Sequence, residues 1–269
     1  MTLRKYLKVA AMHWELRMVY RVNAILETSG NLLTMLVTLA LWLFAFHRVG
    51  GESIGGYTES QMVSYLIIAG LITSTLWHTS QGDSIISAIR HGRISKYFVK
   101  PISLTVNHFI AQTVDHLLRF AWSILAIFVF LFAFGIPIPY AVDLSQIPLF
   151  CLFFILAIGI QYLVFYNAAL LAFWMEEVWG ITFTIRVLAD IAAGAFIPLA
   201  LFAPFWQRVF DFLPFKYIIS IPVNTLLGRV PAHEVLPALL GSVVWLIVFA
   251  ILTKITWVRG VRHYSAVGG

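Results

Sequence analysis

Charged residues are scarce in this chain: Asp, Glu, Lys and Arg make up 11% of its 269 residues, whereas 61% are hydrophobic. Mean hydropathy is correspondingly high, at +0.89. A soluble domain carries about 25% charged residues, so this composition excludes the soluble globular class. The alternating segments of about ten residues that build a membrane β-barrel are absent as well. We therefore expect an all-α integral membrane protein.

The chain also has few residues of the kinds that build catalytic sites. Its single cysteine, Cys151, has no partner for an internal disulfide. No Gly-Lys dipeptide occurs, so the sequence lacks a Walker loop, which binds nucleotide phosphates. His108 and His116 are eight residues apart, which does not place both imidazoles on one helix face, and no carboxylate cluster accompanies them. We expect no catalytic, cofactor or metal site here, and we do not expect an enzyme.

Six apolar stretches approach the length of about 20 residues that a helix needs to cross a bilayer. They cover residues 31–46, 61–79, 111–134, 147–173, 178–202 and 236–257. Together they use most of the chain, so we expect one membrane domain over residues 1–269 and no separate soluble core. The N-terminal residues do not have the pattern of a removable signal, and we expect the mature chain to keep them.

The distribution of Lys and Arg predicts the orientation. If the N-terminus is cytoplasmic, the inner connections hold 14 of the 18 basic residues and the outer ones hold Arg48, Arg208, Lys216 and Arg229. Basic residues concentrate on the cytoplasmic side of membrane proteins, so both termini are predicted to be cytoplasmic. This bias and attraction to anionic lipids account for the net charge of +6, and no nucleic-acid partner is expected.

Residues 1–29, before the first stretch, carry an amphipathic helical pattern. Leu7, Trp14 and Met18 fall on one side of the helix, and Arg4 and Lys8 fall on another. Such a helix can lie flat among the lipid headgroups with its basic residues facing phosphates. The pattern fits a generic anchor as well as a mechanical elbow that passes motion to the first span.

The longest inner connection covers residues 81–112, and its first part, residues 83–102, contains helix start and stop signals. Asp83 or Ser84 can cap a first helix that Gly92 ends, and Pro101 stops a second amphipathic piece. The first piece has an apolar side of Ile85, Ile86 and Ile89, and the second alternates apolar with basic residues. Connections between spans are usually shorter, about two to eight residues. This length favours docking to a cytoplasmic partner, with a lipid-lying hairpin as the alternative.

Repeated prolines interrupt an otherwise apolar outer region, residues 203–235. The prolines in and beside it are Pro198, Pro204, Pro214, Pro222, Pro231 and Pro237. Broken helices at membrane depth persist only where protein or trapped water satisfies their backbone. We expect short re-entrant helices that form an outer gate, for which Phe215 is a further candidate. A plain interfacial aromatic belt is the alternative.

Ionisable residues inside apolar stretches are candidates for function. Arg186 and Asp190 are four residues apart, so their side chains can pair on a helix, or they can contribute to the translocation path or to an interface between subunits. Asp115 and Arg119 have the same spacing, and there we expect a structural pair. Glu176 and Glu177 form an acidic doublet that can face a basic patch of a cytoplasmic partner.

The inner connection and the outer region both resemble parts of one family. Residues 89–103, IRHGRISKYFVKPIS, are similar to the inner loop of the type 2 ATP-binding-cassette (ABC) export permeases. Residues 194–206, GAFIPLALFAPFW, then Leu213-Pro214-Phe215 and residues 222–228, PVNTLLG, resemble the fifth-span exit and outer re-entrant region of that family. The chain looks most similar to the bacterial paired-permease subgroup. It departs at Ala195, where the resemblance leads us to expect a polar or basic residue.

The resemblance implies a transmembrane subunit of an ATP-driven exporter in the bacterial cytoplasmic (inner) membrane. It implies a second permease subunit, identical or similar, that completes the translocation path, and separately encoded ATPase subunits that bind ATP and Mg. Residues 83–102, the coupling segment, would contact the ATPase. The residues expected to carry this contact are Asp83, Ile86, Ile89, Arg90, Gly92, Arg93, Ile94, Phe98 and Pro101.

Two other classes of function remain open on the sequence. A secondary transporter or channel that is not powered by ATP would need ion sites inside the membrane or helices broken at the midplane, and Asp190 is the one suitably deep candidate. A membrane-embedded enzyme would need a convergent polar cluster, which the sequence does not predict.

Overall fold

A computed structural model describes residues 2–50, 53–77, 82–99, 102–133 and 142–264. The structure is 84% helical, which confirms the all-α class. Within the described ranges, the α-helices are α1 (Thr2–Val19), α2 (Arg21–Val49), α3 (Glu59–Leu76), α4 (Asp83–Arg90), α5 (Lys96–Val99), α6 (Leu104–Ala133), α7 (Ile147–Leu170), α8 (Trp179–Ala192), α9 (Pro204–Phe212), α10 (Ser220–Leu226) and α11 (Ala232–His263).

Shorter elements join these helices. Strands β1 (Ser53–Ile54) and β2 (Tyr57–Thr58) form an antiparallel hairpin between α2 and α3. The 3₁₀ helices cover Arg93–Ser95, Leu144–Gln146, Leu171–Phe173, Leu199–Leu201 and Pro214–Tyr217. Helix α3 begins with a capping box, in which Thr58 and Gln61 satisfy each other's backbone N–H groups.

Among the described residues, four helical segments are long and apolar enough to cross a membrane. They are Arg21–Val49, Leu104–Phe132, Leu144–Phe173 and Ala232–His263. Each matches one of the predicted apolar stretches and extends beyond it at one end or both. The protein is therefore a multi-pass helical membrane protein.

The N-terminal helix and the fifth apolar stretch differ from the prediction. The interfacial helix was expected over residues 1–29, but α1 ends at Val19 and residues 21–29 belong to α2. The fifth stretch was expected to continue to residue 202, but α8 ends at Ala192. Gly194 adopts a left-handed backbone (φ +79°), and Pro198 follows, so the helix cannot continue in that direction.

Helices α3, α7 and α10 build the main apolar core. Tyr65 and Ile72 of α3, Ile160 of α7 and Val223 of α10 are all completely buried there. A second apolar cluster lies where the N-terminal end of α6 and the C-terminal end of α7 meet α4. Because α3 is surrounded by the other helices, it is held by packing on nearly every side.

Candidate functional site

Three isoleucines fasten the coupling segment to the membrane helices. Ile85 and Ile89 of α4 and Ile94 of the following turn are buried, with exposed fractions of 1%, 5% and 0%. They pack in the second apolar cluster with Tyr162 and Tyr166 of α7. Ile89 and Ile94 were expected to contact a cytoplasmic partner, but in this structure the same chain covers them.

The opposite face of α4 is open. Asp83, Arg90 and His91 are exposed, and Ile86 is half-buried beside a cavity of about 260 Å³ that these residues line. Partial burial raises the pKa of the Asp83 carboxyl above its usual value. The face that remains for a partner is therefore polar, with one apolar side chain at its centre.

Glycines shape both ends of α4. Gly92 is left-handed (φ +70°) and turns the chain after the helix, as the sequence predicted. The N-terminal cap is Gly82 (φ +83°), not Asp83 or Ser84, and no side chain caps the helix. A Cβ at Gly82 would lie 2.9 Å from the Ala169 Cβ of α7, so the close approach also favours glycine. Pro101 and the side chain of Phe98 lie outside the described part of the chain.

Polar contacts tie the coupling segment to three other elements. Arg90 Nη2 lies 3.4 Å from Glu177 Oε1, in the turn that precedes α8. Ser95 Oγ lies 3.1 Å from the Tyr264 hydroxyl after α11, and Asn107 Nδ2 of α6 donates to the Tyr97 hydroxyl at 3.2 Å. A displacement of the segment would therefore reach α6, α8 and α11 as well as α7.

A buried charge network joins α1 and α2 to α6. Arg119 Nε lies 3.0 Å from Asp115 Oδ2, which confirms the predicted pair. Arg17 Nε of α1 lies 2.9 Å from Asp115 Oδ1, and Arg119 Nη2 lies 2.5 Å from Glu27 Oε2 of α2. The roles of Arg17 and Glu27 were not predicted, because neither has a partner at helical spacing on its own helix.

Arg186 and Asp190 do not form the ion pair that their spacing allows: within the described ranges no basic nitrogen lies within 4.0 Å of the Asp190 carboxylate. Asp190 Oδ1 is buried and has no hydrogen-bond donor among the described residues. Both side chains line a cavity of about 180 Å³ between α2, α3 and α8. Its other polar wall residues are Asn31, Thr34, Thr38 and Thr73.

The prolines of the outer region start its short helices. Pro204 and Pro214 occupy the first turns of α9 and of the following 3₁₀ helix, and Pro198 precedes another. Pro222 is buried within α10. Phe215 is half-buried against the main core, in which the neighbouring Ile218 and Ile219 are completely buried. The part of this region from Pro214 to Leu227 is therefore packed onto the helices, whereas most side chains of α9 are exposed.

One outer cation holds the hairpin against this region, although no sequence pattern pointed to it. The Arg229 guanidinium lies 3.8 Å from the centre of the Tyr57 ring and donates to Gly56 O and Gln61 Oε1, both at 3.0 Å. The Tyr57 hydroxyl donates to Asn224 Oδ1 of α10 at 2.9 Å. Burial raises the pKa of Tyr57, against the opposing effect of Arg229. We call Tyr57, Gln61, Asn224 and Arg229 the outer clamp.

These features define a class: a multi-pass helical membrane protein whose coupling segment packs against its helices, with ionisable side chains beside a cavity between them. Among the described residues, no group of three His, Cys, Asp or Glu side chains is placed to hold a metal ion.

The family profile of the ABC-2 family transporter proteins matches residues 32–268. The chain belongs to this family and is a permease of the ABC transporter class, in which membrane subunits work with ABC ATPase subunits. The match confirms the resemblance found in the sequence. No curated protein and no solved structure matches the chain.

Proposed function

We propose that this chain is the transmembrane subunit of an ATP-driven exporter in the bacterial cytoplasmic membrane, with both termini in the cytoplasm. Two such subunits, identical or similar, form the translocation path. Separately encoded ATPases bind beneath them and hydrolyse ATP with Mg, because this chain has no phosphate-binding loop. The whole chain, residues 1–269, acts as one permease domain.

The observation that carries this proposal is the two-sided character of α4. Its buried side, Ile85 and Ile89, is fixed to α7, and its open side presents Asp83, Ile86 and Arg90. A helix held on one side and open on the other can receive force from a cytoplasmic partner and pass it on. The buried isoleucines therefore anchor the coupling segment to α7, and the residues on the open side contact the ATPase.

Passing this force to the spans requires that the subunit pair has two conformational states. ATP binding favours one of them. When the ATPases close, α4 moves, and α7 moves with it because their contact is apolar and closely packed. The Arg90–Glu177 pair carries the same displacement to α8. The Glu177 side chain is 83% exposed, so this ion pair guides the movement and adds little stability.

We assign α3 and α8 as the second and fifth spans, which brings the total to six. Helix α8 has 14 residues, or about 21 Å at about 1.5 Å per residue. This is short of a hydrocarbon core of about 30 Å. If α8 starts at the inner surface, the chain that follows Gly194 must lie within the outer leaflet. The short proline-started helices of residues 203–235 are then the re-entrant outer gate, with Pro198, Pro204, Pro214, Phe215 and Pro222 at its turns and contacts.

The cavity beside Arg186 and Asp190 is our candidate for part of the path or of the subunit interface. It lies between α2, α3 and α8, and α2 is largely unburied within the single chain. A second permease subunit covering α2 would enclose this cavity from the side that is now open.

The test is to purify the tagged chain gently from its native membrane and identify the proteins that accompany it by mass spectrometry. We expect an ATPase with a Walker loop. Gly92→Ala strains a left-handed turn by about 1–2 kcal/mol, so it should lower the amount of transport per ATP hydrolysed. Gly50→Ala is the matched control, because Gly50 (φ +59°) is equally left-handed but lies at the far end of α2.

A different result would replace the proposal. A chain that purifies alone, and that moves ions or solutes across vesicles without ATP, is a secondary transporter or channel. Equal coupling in the Gly92→Ala and Gly50→Ala variants would remove the coupling segment from the mechanism, even if an ATPase is bound.

A further inference from the structure

A cleft of about 650 Å³ lies between α1, the coupling segment and the inner end of α6. It is distinct from the open face of α4 that we assign to the ATPase, although Asp83 and Ser87 border both. In the orientation proposed above, α6 enters the membrane from the cytoplasmic side at this end, so the cleft lies at the depth of the inner-leaflet headgroups.

Two cations on the cleft wall have no acidic partner. Within the described part of the chain, neither Arg93 nor Lys96 has a carboxylate within ion-pair distance. Both are exposed, and Arg93 donates a hydrogen bond to Ser87 Oγ. The wall also holds Arg17, which Asp115 neutralises at 2.9 Å, and one carboxyl, Asp83. The net charge of the cleft wall is therefore positive, which favours the binding of an anion.

The floor of the cleft contains polar atoms that lack partners. His108 Nδ1 and Gln112 Oε1 are buried, with both residues 8% exposed, and neither atom has a hydrogen-bond partner among the described residues. Buried polar groups are nearly always hydrogen-bonded in folded proteins. A bound hydroxyl can accept from His108 Nδ1 when the neutral ring carries its hydrogen there, and it can donate to Gln112 Oε1, which would satisfy both atoms.

The rim of the cleft is apolar on the side of α1. Leu16 and Tyr20 line it and are 51% and 60% exposed. A ligand that fits the whole cleft therefore has an anionic group, a hydroxylated head and an apolar body. A free inorganic anion would contact only the cations of the cleft wall and would leave the floor and the rim without a ligand.

We propose that this cleft binds the headgroup of an anionic glycerophospholipid of the phosphatidylglycerol type. Arg93 and Lys96 hold the phosphate, and a headgroup hydroxyl meets Gln112 and His108. The acyl chains leave over Leu16 and Tyr20. The lipid contacts α1 and the coupling segment at once, so its binding holds them together. This site goes beyond the proposed function and needs no ATPase.

The experiment is native mass spectrometry of the purified full-length chain, with whatever subunits it retains, titrated with phosphatidylglycerol or phosphatidylcholine. Phosphatidylglycerol should bind in preference, because phosphatidylcholine has no net charge. Each basic residue near a charged headgroup contributes about a fivefold factor in affinity, so Arg93→Gln with Lys96→Gln should weaken phosphatidylglycerol binding by roughly 20- to 30-fold. The matched control is Arg259→Gln with Arg262→Gln, which removes two inner cations of α11 that are outside the cleft.

Three results would overturn the assignment. Equal losses in the two double variants would show general attraction of lipid to the inner surface. Equal binding of phosphatidylcholine would show that charge does not select the ligand. Inorganic phosphate that displaces phosphatidylglycerol completely at equal concentration would show an anion site that does not need the lipid body.

A second variant covers the case in which the double variant does not fold. Gln112→Leu leaves every charge in place and removes only the amide of the floor. The proposal expects it to lower the preference for phosphatidylglycerol over phosphatidic acid, which lacks the headgroup hydroxyls, by several-fold. An unchanged preference would contradict the assignment of Gln112 to the headgroup.

Discussion

Two pairs of oppositely charged residues have the same spacing in this chain and different surroundings. Asp115 and Arg119 lie four residues apart on α6, are both 2% exposed, and bind each other together with Arg17 and Glu27. Arg186 and Asp190 lie four residues apart on α8 and border a cavity without forming an ion pair. Spacing therefore establishes that two side chains can meet, and the neighbouring helices decide whether they do.

The physical difference is the cost of burial. A charge removed from water is costly unless it is paired and hydrogen-bonded. On α6, the helices α1 and α2 supply the additional ions that complete the network. On α8, the cavity is lined by neutral polar residues of α2 and α3, and the carboxylate stays beside open space. The first pair is built for stability, and the second remains available for a moving ligand or for a second subunit.

The largest effect is expected from Arg119→Leu. It removes the cation between Asp115 and Glu27, and a buried ion pair broken in this way typically costs about 3–5 kcal/mol. Thermal unfolding in detergent would show the loss. Arg186→Leu is the matched control on α8 and should change stability little. Similar losses in both variants would mean that the two pairs are equivalent.

Arg229→Ala tests a cation whose contacts are an aromatic ring and two neutral oxygen acceptors and include no carboxylate. It loses the contact with the Tyr57 ring and the donors to Gly56 and Gln61. We expect a loss of about 2 kcal/mol, together with faster hydrogen exchange in the hairpin between α2 and α3. Arg208→Ala, an exposed cation of α9, is the control. Unchanged exchange in the hairpin would show that the outer clamp does not hold it.

A smaller effect is expected from Arg17→Ala, at the edge of the network. The Arg17 side chain is 38% exposed, and Asp115 keeps Arg119 as a partner. Water screens part of the interaction, so the loss should be about 1 kcal/mol. Limited proteolysis within α1 should accelerate, because Arg17 ties this helix to α6. If Arg17→Ala lowers the free energy of unfolding as much as Arg119→Leu does, the more buried residue of the network does not contribute more to stability, contrary to this prediction.

The smallest change in stability is expected from Asp190→Asn, within about 1 kcal/mol, because this carboxylate has no ion pair to lose. Transport is the informative measurement. A stable variant with reduced ATP-dependent transport would place Asp190 in the path or at the subunit interface. Normal assembly and normal transport would eliminate that role, and a large loss of stability would reveal a partner that the single chain does not contain.

Part of the coupling segment could be predicted from local pattern. The stop signal at Gly92 and the burial of Ile85 and Ile89 match the structure, since both depend on residues within a few positions of each other, whereas Ile86, predicted on the same side, lies on the open face. The Asp115–Arg119 pair was predictable for the same reason. The ends of α1 and α8 were not: no Gly or Pro follows Val19 closely enough to mark a break, and apolar composition continues past Ala192.

The sequence alone determined the class of the protein: its composition requires a lipid solvent, and its apolar stretches require helices. Only the tertiary structure decided which isoleucines of the coupling segment are buried, that Arg17 and Glu27 complete a charge network, and that Arg229 clamps the outer hairpin. Each of these joins residues far apart in the chain. Such contacts depend on how whole helices pack, and that packing is a property of the assembled fold and not of any local run of residues.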